Sequence, residues 1–194
     1  KYFLPAIIAF FFSFAPGVSP APEPPSTVVI GFASSSLRFK KELPAGIKLQ
    51  TAWRTSAWKG EKVHTQILIS AVNNIDKIKL ITTDLKDEAG HVIKKDNMVT
   101  GFVQYVMTDE FKGGCDKRTS KNLDSSLVAD IINTDLSSVI LAGNSVQPVW
   151  LSIKVPADAK AGVYTGTITV VAGKKYELDI SLNVTGRNLP SPAQ

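Results

Sequence analysis

The stretch Lys175–Val184 (KYELDISLNV) has the most regular pattern in the chain, because apolar and polar residues alternate along its whole length. Successive side chains of a β-strand point to opposite faces of the sheet, so the pattern predicts a strand with one buried face and one solvated face. The apolar set consists of Tyr176, Leu178, Ile180, Leu182 and Val184. The segment is therefore predicted to belong to an antiparallel sheet.

The segments before this strand repeat the pattern. Val163–Val171 alternates between apolar residues and threonines, and Ala172–Lys174 supplies a hairpin turn into the next strand. Val149–Val155 also alternates, and Pro156 ends it because proline has no N–H for the hydrogen-bond ladder. Residues 158–162 (DAKAG) form the predicted connecting turn. Three successive strands with short connections are typical of an all-β domain.

The first half of the chain contains further strand patterns and no long helical period. Met98–Met107 is apolar on both faces, which predicts a central strand, and Val128–Thr134 fits either a short helix or a strand. The remaining predicted strands are Lys48–Trp53 and Val63–Ser70, around a turn near Lys59-Gly60, and Asp76–Asp84. Many short strands indicate a sandwich or barrel. We predict an antiparallel, immunoglobulin-like β-sandwich over residues 27–186.

The composition is that of an ordinary globular protein. The 194 residues are 44% hydrophobic and 20% charged, with a net charge of +5. The lysines are scattered rather than clustered with aromatic residues, which favours a solvated surface and no nucleic-acid partner. The one cysteine, Cys115, excludes an internal disulfide, so stability must come from packing.

The first residues have the features of a secretion signal. Lys1 precedes an apolar run, Phe3–Ala15, which is too short for a membrane span. We predict a signal peptide over residues 1–17, a proline-rich linker over 18–26, and a secreted, periplasmic or cell-surface protein without stable membrane insertion after cleavage. A buried helix or an uncleaved anchor is the alternative. No cysteine lies here to carry a lipoprotein anchor.

The sequence offers few groups for catalysis. His64, His91 and Cys115 do not have the spacing of a metal site, and no GxSxG, P-loop or GxGxxG motif is present. The adjacent carboxylates Asp109 and Glu110 would point to opposite faces of an extended strand. They lie in a long polar segment, residues 109–124. This segment is interpreted either as a functional loop or as a surface loop without a function. We predict no catalytic residue, no metal and no cofactor.

Three tryptophans are candidates for sugar stacking or domain packing. They are Trp53, Trp58 and Trp150. Trp150 shares a face of its strand with the polar residues Ser152 and Lys154, where a large apolar ring is unexpected. Packing is favoured over sugar stacking, because large apolar surfaces are usually buried against something.

Several segments together resemble the N-terminal domain of glycoside hydrolase family 123, a bacterial group related to β-N-acetylgalactosaminidases. They are Thr51–Val63 (TAWRTSAWKGEKV), Tyr105–Cys115 (YVMTDEFKGGC), Leu127–Asp130 (LVAD) and Gln147–Val170 (QPVWLSIKVPADAKAGVYTGTITV). The resemblance implies a secreted accessory domain followed by a (β/α)₈ catalytic barrel. Substrate-assisted hydrolysis by an Asp–Glu pair would occur in that barrel, so no family catalytic residue is carried onto this chain.

The resemblance also implies the chain's partners. Residues 187–194 resemble the start of the linker to the C-terminal catalytic domain, which would be the main partner, with a glycan as a second one. The alternatives are a free-standing carbohydrate-binding module and an immunoglobulin-like adhesion module.

Overall fold

A computed structural model describes residues 28–42, 47–108 and 126–190. The predicted signal peptide and linker, the pair Asp109–Glu110, Cys115 and the final residues 191–194 lie outside these ranges. No helix within them has the length and apolar character needed to cross a membrane.

The described residues form twelve strands and one short 3₁₀ helix, Lys95–Asn97. The strands are β1 (Val28–Ala33), β2 (Ala52–Lys59), β3 (Lys62–Ala71), β4 (Ile75–Thr82), β5 (Leu85–Lys86), β6 (Val92–Ile93), β7 (Met98–Thr108), β8 (Ser126–Asn133), β9 (Val139–Leu141), β10 (Ser145–Lys154), β11 (Gly162–Ala172) and β12 (Lys174–Asn188).

Two sheets pack face to face as a β-sandwich. Sheet A has the order β1-β3-β10-β7-β8, and sheet B has the order β2-β12-β11-β4-β9, with the β5–β6 hairpin attached to β11. All pairs are antiparallel except β2–β12, which is parallel. The series β1-β3-β10-β7 and β12-β11-β4 reproduce the ABED and GFC orders of the immunoglobulin fold. The predicted all-β sandwich is confirmed, with one parallel pair among its antiparallel strands.

The main hydrophobic core lies between the two sheets. Strand β12 contributes Leu178, Ile180, Leu182 and Val184, each at most 2% exposed, which confirms the alternation seen in the sequence. Strand β10 supplies Val149, Leu151 and Ile153 from the opposite sheet. The facing apolar sides exclude water from each other, and this burial is the principal force that holds the sandwich together.

Most predicted strands are confirmed, and the ambiguous segment is resolved. Val128–Thr134 lies largely in β8, and β7 is an interior strand between β10 and β8. The predicted hairpin turn is present, and Gly173 adopts a φ of 74°, which glycine tolerates best.

The strand predicted at Lys48–Trp53 was wrong in its position. Strand β2 begins at Ala52 and continues to Lys59, paired with β12, whereas Gln50 makes only an isolated bridge to Phe32. The inward-facing residues of β2 include Thr55 and Ala57, which are too weakly apolar to show the alternation.

A second, smaller hydrophobic cluster covers part of the outer face of sheet A. Phe39, Leu68 and Val146 are buried there, at 3%, 1% and 1% exposure. The segment that carries Phe39 is held by hydrogen bonds from the Ala129 N–H to the Phe39 carbonyl and from the Val146 N–H to the Lys41 carbonyl. Within the described ranges, this cluster reaches only part of the outer face.

Candidate interaction surface

Trp150 lies on the outer face of sheet A, beyond the second cluster. Its neighbours Val149 and Leu151 point into the main core and are fully buried, so Trp150 must point outwards. Its cross-strand neighbours are Gln66 on β3 and Gly101 on β7. The ring is only partly buried, as the alternation of β10 predicts.

The indole ring of Trp150 is fixed by two contacts. It stacks on the imidazole of His64, with ring centroids 4.9 Å apart and an angle of 22° between the planes. Its Nε1–H donates a hydrogen bond of 3.1 Å to Ser152 Oγ, which is itself buried. Because the polar edge is satisfied internally, the surface that Trp150 presents is apolar.

Two exposed aliphatic residues extend this apolar surface. Val99, opposite Ser152, is 45% exposed, and Ile132 is 42% exposed. A Cβ at Gly101 would come within 2.6 Å of Ile132 Cγ2, so the glycine leaves room for Ile132 to lie across β7 beside Trp150. We call Trp150, His64, Ser152, Val99 and Ile132 the Trp150 face.

Two lysines lie side by side at one rim of the Trp150 face. Lys62 and Lys154 are directly opposite each other in the β3–β10 pair, on the same side of the sheet as His64 and Ser152. Both are exposed, and neither forms an ion pair with any residue of the described ranges. Like charges directly opposite are unfavourable, so this rim favours an acidic neighbour.

The last strand leaves the sandwich next to this rim. Leu189 N donates a 2.8 Å hydrogen bond to the carbonyl of Lys59, the last residue of β2 before the turn into β3. The same turn is joined to the end of β10 by hydrogen bonds from Gly60 N to the Val155 carbonyl and from Val155 N to the Glu61 carbonyl. Leu189 therefore lies at the turn that precedes Lys62, next to the end of β10 that carries Lys154.

The other two tryptophans lie apart from the Trp150 face. Trp53 faces inwards on β2, packs against the main core, and its ring centroid is 6.2 Å from that of Phe32. Trp58 is partly buried on the opposite side of β2, and its backbone N–H donates to Glu61 Oε2 at 2.7 Å. The three rings thus do not form one binding platform.

The residues weighed for catalysis are not assembled into a site in the part of the chain that the structure describes. His64 is used in the stack on Trp150, and no group of three potential metal ligands is found among the described residues. His91 instead pairs with Asp87, with 2.7 Å between Nδ1 and Oδ2. Burial alone would raise the pKa of Asp87, but the hydrogen bonds from the His91 ring and backbone outweigh it and lower that pKa. This pair closes the turn before β6.

Comparison with known proteins identifies the family. A family 123 glycoside hydrolase from Clostridium perfringens has a similar fold, with a TM-score of 0.67 and 22% identity; the match covers 86% of this chain and 28% of that one. A PapD-like domain of human CEP192 matches over 93% of this chain and 99% of its own length, with a TM-score of 0.43 and 16% identity. No curated protein matches the chain.

The match to a family model covers most of the sandwich. The model of the glycoside hydrolase 123 N-terminal domain matches residues 32–172, which run from β1 to the end of β11. This range includes Trp150 and the other residues of the Trp150 face. The chain therefore belongs to the glycoside hydrolase 123 N-terminal domain family.

Proposed function

We propose that this chain is the non-catalytic accessory domain of a secreted bacterial glycoside hydrolase that acts on N-acetylgalactosamine-containing glycans. The observation that carries the proposal is the family match over residues 32–172, together with a span of only 28% of the solved family 123 hydrolase. That enzyme hydrolyses glycolipid glycans. The chemistry is then performed by a C-terminal catalytic barrel in the same polypeptide.

The described surface supports a packing role better than a catalytic one. It carries a fixed apolar face around Trp150, and within the described ranges no hydrogen bond aims a ring nitrogen of His64 at a hydroxyl or thiol group. A general base needs a free, aimed nitrogen near a nucleophile. An apolar face of this kind is suited to contact with another protein surface.

The size of the native protein tests the proposal. An antibody against residues 27–186 is used to blot the host's periplasmic and secreted fractions. We expect a band larger than the 20.9 kDa of this chain by at least the roughly 200 residues of a barrel. The purified large form should release N-acetylgalactosamine, and this chain alone should not. A native band at or below the mass of this chain would overturn the proposal.

A free-standing carbohydrate-binding module is the second candidate, favoured by the partly exposed ring of Trp150. Aromatic rings at glycan sites offer an open π-face to the sugar, whereas one side of this indole is stacked on His64. Titration of the chain with N-acetylgalactosamine oligosaccharides distinguishes the two. Saturable binding heat in titration calorimetry, weakened by Trp150→Ala, would favour the module.

A further inference from the structure

We infer that the Trp150 face is the surface on which the domain following β12 docks, and that the docked surface has an apolar centre and an acidic rim. This inference rests on the proposed function, because it requires such a domain. It assigns the contact to particular residues of sheet A, with Trp150 and Val99 in the centre and Lys62 and Lys154 at the rim.

The centre of the Trp150 face is apolar and exposed. Val99 and Ile132 are β-branched residues left 45% and 42% exposed on β7 and β8, the two strands that follow the strand of the partly exposed Trp150 in sheet A. Single exposed apolar residues are ordinary on protein surfaces, but a contiguous group around a fixed aromatic ring marks an interaction site. Tryptophans in such positions contribute most to protein–protein binding.

The centre of the Trp150 face is also rigid. The stack on His64 and the hydrogen bond to Ser152 Oγ hold the indole in one orientation before any partner arrives. A side chain that is already ordered loses little conformational entropy on binding. The internally satisfied Nε1–H also means that an apolar partner leaves no indole donor unpaired.

The positive charge of the rim and the place where the chain leaves β12 favour the following domain as the occupant of the Trp150 face. Lys62 and Lys154 repel each other across β3 and β10, and an acidic group on the partner would relieve that repulsion. The polypeptide leaves β12 beside these lysines, fixed by the hydrogen bond between Leu189 and Lys59. A domain tethered there has a high effective concentration at this face, so even a modest interface suffices.

The test compares matched valines on opposite faces of the sandwich. Val99 lies on the Trp150 face and Val163 lies on the outer face of sheet B, with similar exposures of 45% and 52%. In the parent polypeptide, Val99→Asp should raise the rate of proteolysis in the segment after Asn188 by about tenfold or more, because it places a carboxylate in the apolar centre of the interface. Val163→Asp should leave the rate within about twofold.

The rim is tested by charge reversal and salt. Lys154→Glu should also accelerate cleavage of the parent. The cleavage rate of the unmodified parent should rise with ionic strength, because salt screens contacts between exposed charges. In this chain alone, the urea midpoints of Val99→Asp and Val163→Asp should be close to that of the unsubstituted chain. Such a result separates loss of docking from loss of folding.

The outcomes separate this inference from the proposed function. An active parent in which Val99→Asp and Val163→Asp are cleaved alike overturns the docking assignment and leaves the proposed function standing. A native protein no larger than this chain overturns both. Self-association of this chain that Val99→Asp abolishes, or glycan binding that it abolishes, would mean that the Trp150 face has another occupant and would also overturn the inference.

Discussion

At the residue scale, Tyr164 shows how one side chain fixes the entry into a strand. Its ring is 1% exposed in the main core, and its hydroxyl donates a 2.9 Å hydrogen bond to the Lys160 carbonyl four residues upstream. A tyrosine that bonds back across a corner in this way is a hallmark of immunoglobulin-like sandwiches. Burial, reinforced by the negative charge of Asp87, raises the pKa of Tyr164 and keeps the hydroxyl protonated as a donor.

Tyr164→Phe should lower the free energy of unfolding by about 1 kcal/mol, because it removes one hydrogen bond and retains the buried ring. Urea unfolding followed by tryptophan fluorescence measures the change. Tyr176→Phe is the matched control, since no partner for the Tyr176 hydroxyl is found among residues 28–42, 47–108 and 126–190. Equal effects of the two substitutions would contradict the role given to Tyr164.

Asp87 gives the domain an acid-sensitive contact. Its pKa is lowered in the folded protein, so its ionised form stabilises the fold above about pH 4, and this contribution is lost as the pH falls below that value. We expect Asp87→Asn to be less stable than the parent at pH 7. We also expect its stability to decline less steeply between about pH 5 and pH 3. Thermal unfolding across that range measures how steeply the stability of each protein changes with pH. Equal slopes for the parent and for Asp87→Asn would contradict the stabilising role given to ionised Asp87.

At the element scale, glycines decide how closely segments can cross. The connection from β4 to β5 passes over β11 at Gly166, where a Cβ would lie 2.6 Å from Leu85 Cδ2 and 2.9 Å from the Asp84 carbonyl oxygen. The carbonyl belongs to a backbone that is itself tied to β11, because Thr83 N donates to the Thr167 carbonyl. The element therefore cannot move aside without losing hydrogen bonds.

Gly166→Ala should destabilise the domain by roughly 1–3 kcal/mol, the range of overpacked positions. Gly186 on β12 is the control, since a Cβ there meets nothing within 4 Å. Gly186→Ala should leave stability unchanged or raise it by about 0.5 kcal/mol, because alanine reduces the entropy of the unfolded chain. Differential scanning calorimetry of both variants measures the contrast. An unchanged melting temperature for Gly166→Ala would show that the crossing can relax.

At the scale of the whole molecule, sheet A carries hydrophobic clusters on both faces. The main core lies on its inner face, and the cluster of Phe39, Leu68 and Val146 lies on its outer face. The outer cluster is smaller and is closed by the irregular segment that carries Phe39, not by a second sheet. We therefore expect it to open separately from the sandwich.

Phe39→Ala should expose this difference in amide hydrogen exchange. Exchange should rise most at Ala129 and Val146, whose N–H groups are bonded to the Phe39 segment, and least in the β11–β12 hairpin. Phe102→Ala, at a position 2% exposed in the main core, should raise exchange throughout. A uniform rise in Phe39→Ala would show that the two clusters unfold as one unit.

The sequence alone determined the fold class and the strands with strong alternation. In Lys175–Val184 and Val149–Val155 the period of two reflects burial of one face, which is a local property of the chain. It also determined that Trp150 points away from the core. The family resemblance is likewise carried by residues that can be read in order along the chain.

Only the tertiary structure decided what surrounds Trp150. His64, Val99 and Ile132 belong to three other strands, and their meeting depends on the sheet order β3-β10-β7-β8. Pairing register is a long-range property that no local period encodes, because each strand is compatible with several neighbours. For the same reason the opposed pair Lys62–Lys154 and the exit of the chain beside it became visible only once the strands were paired.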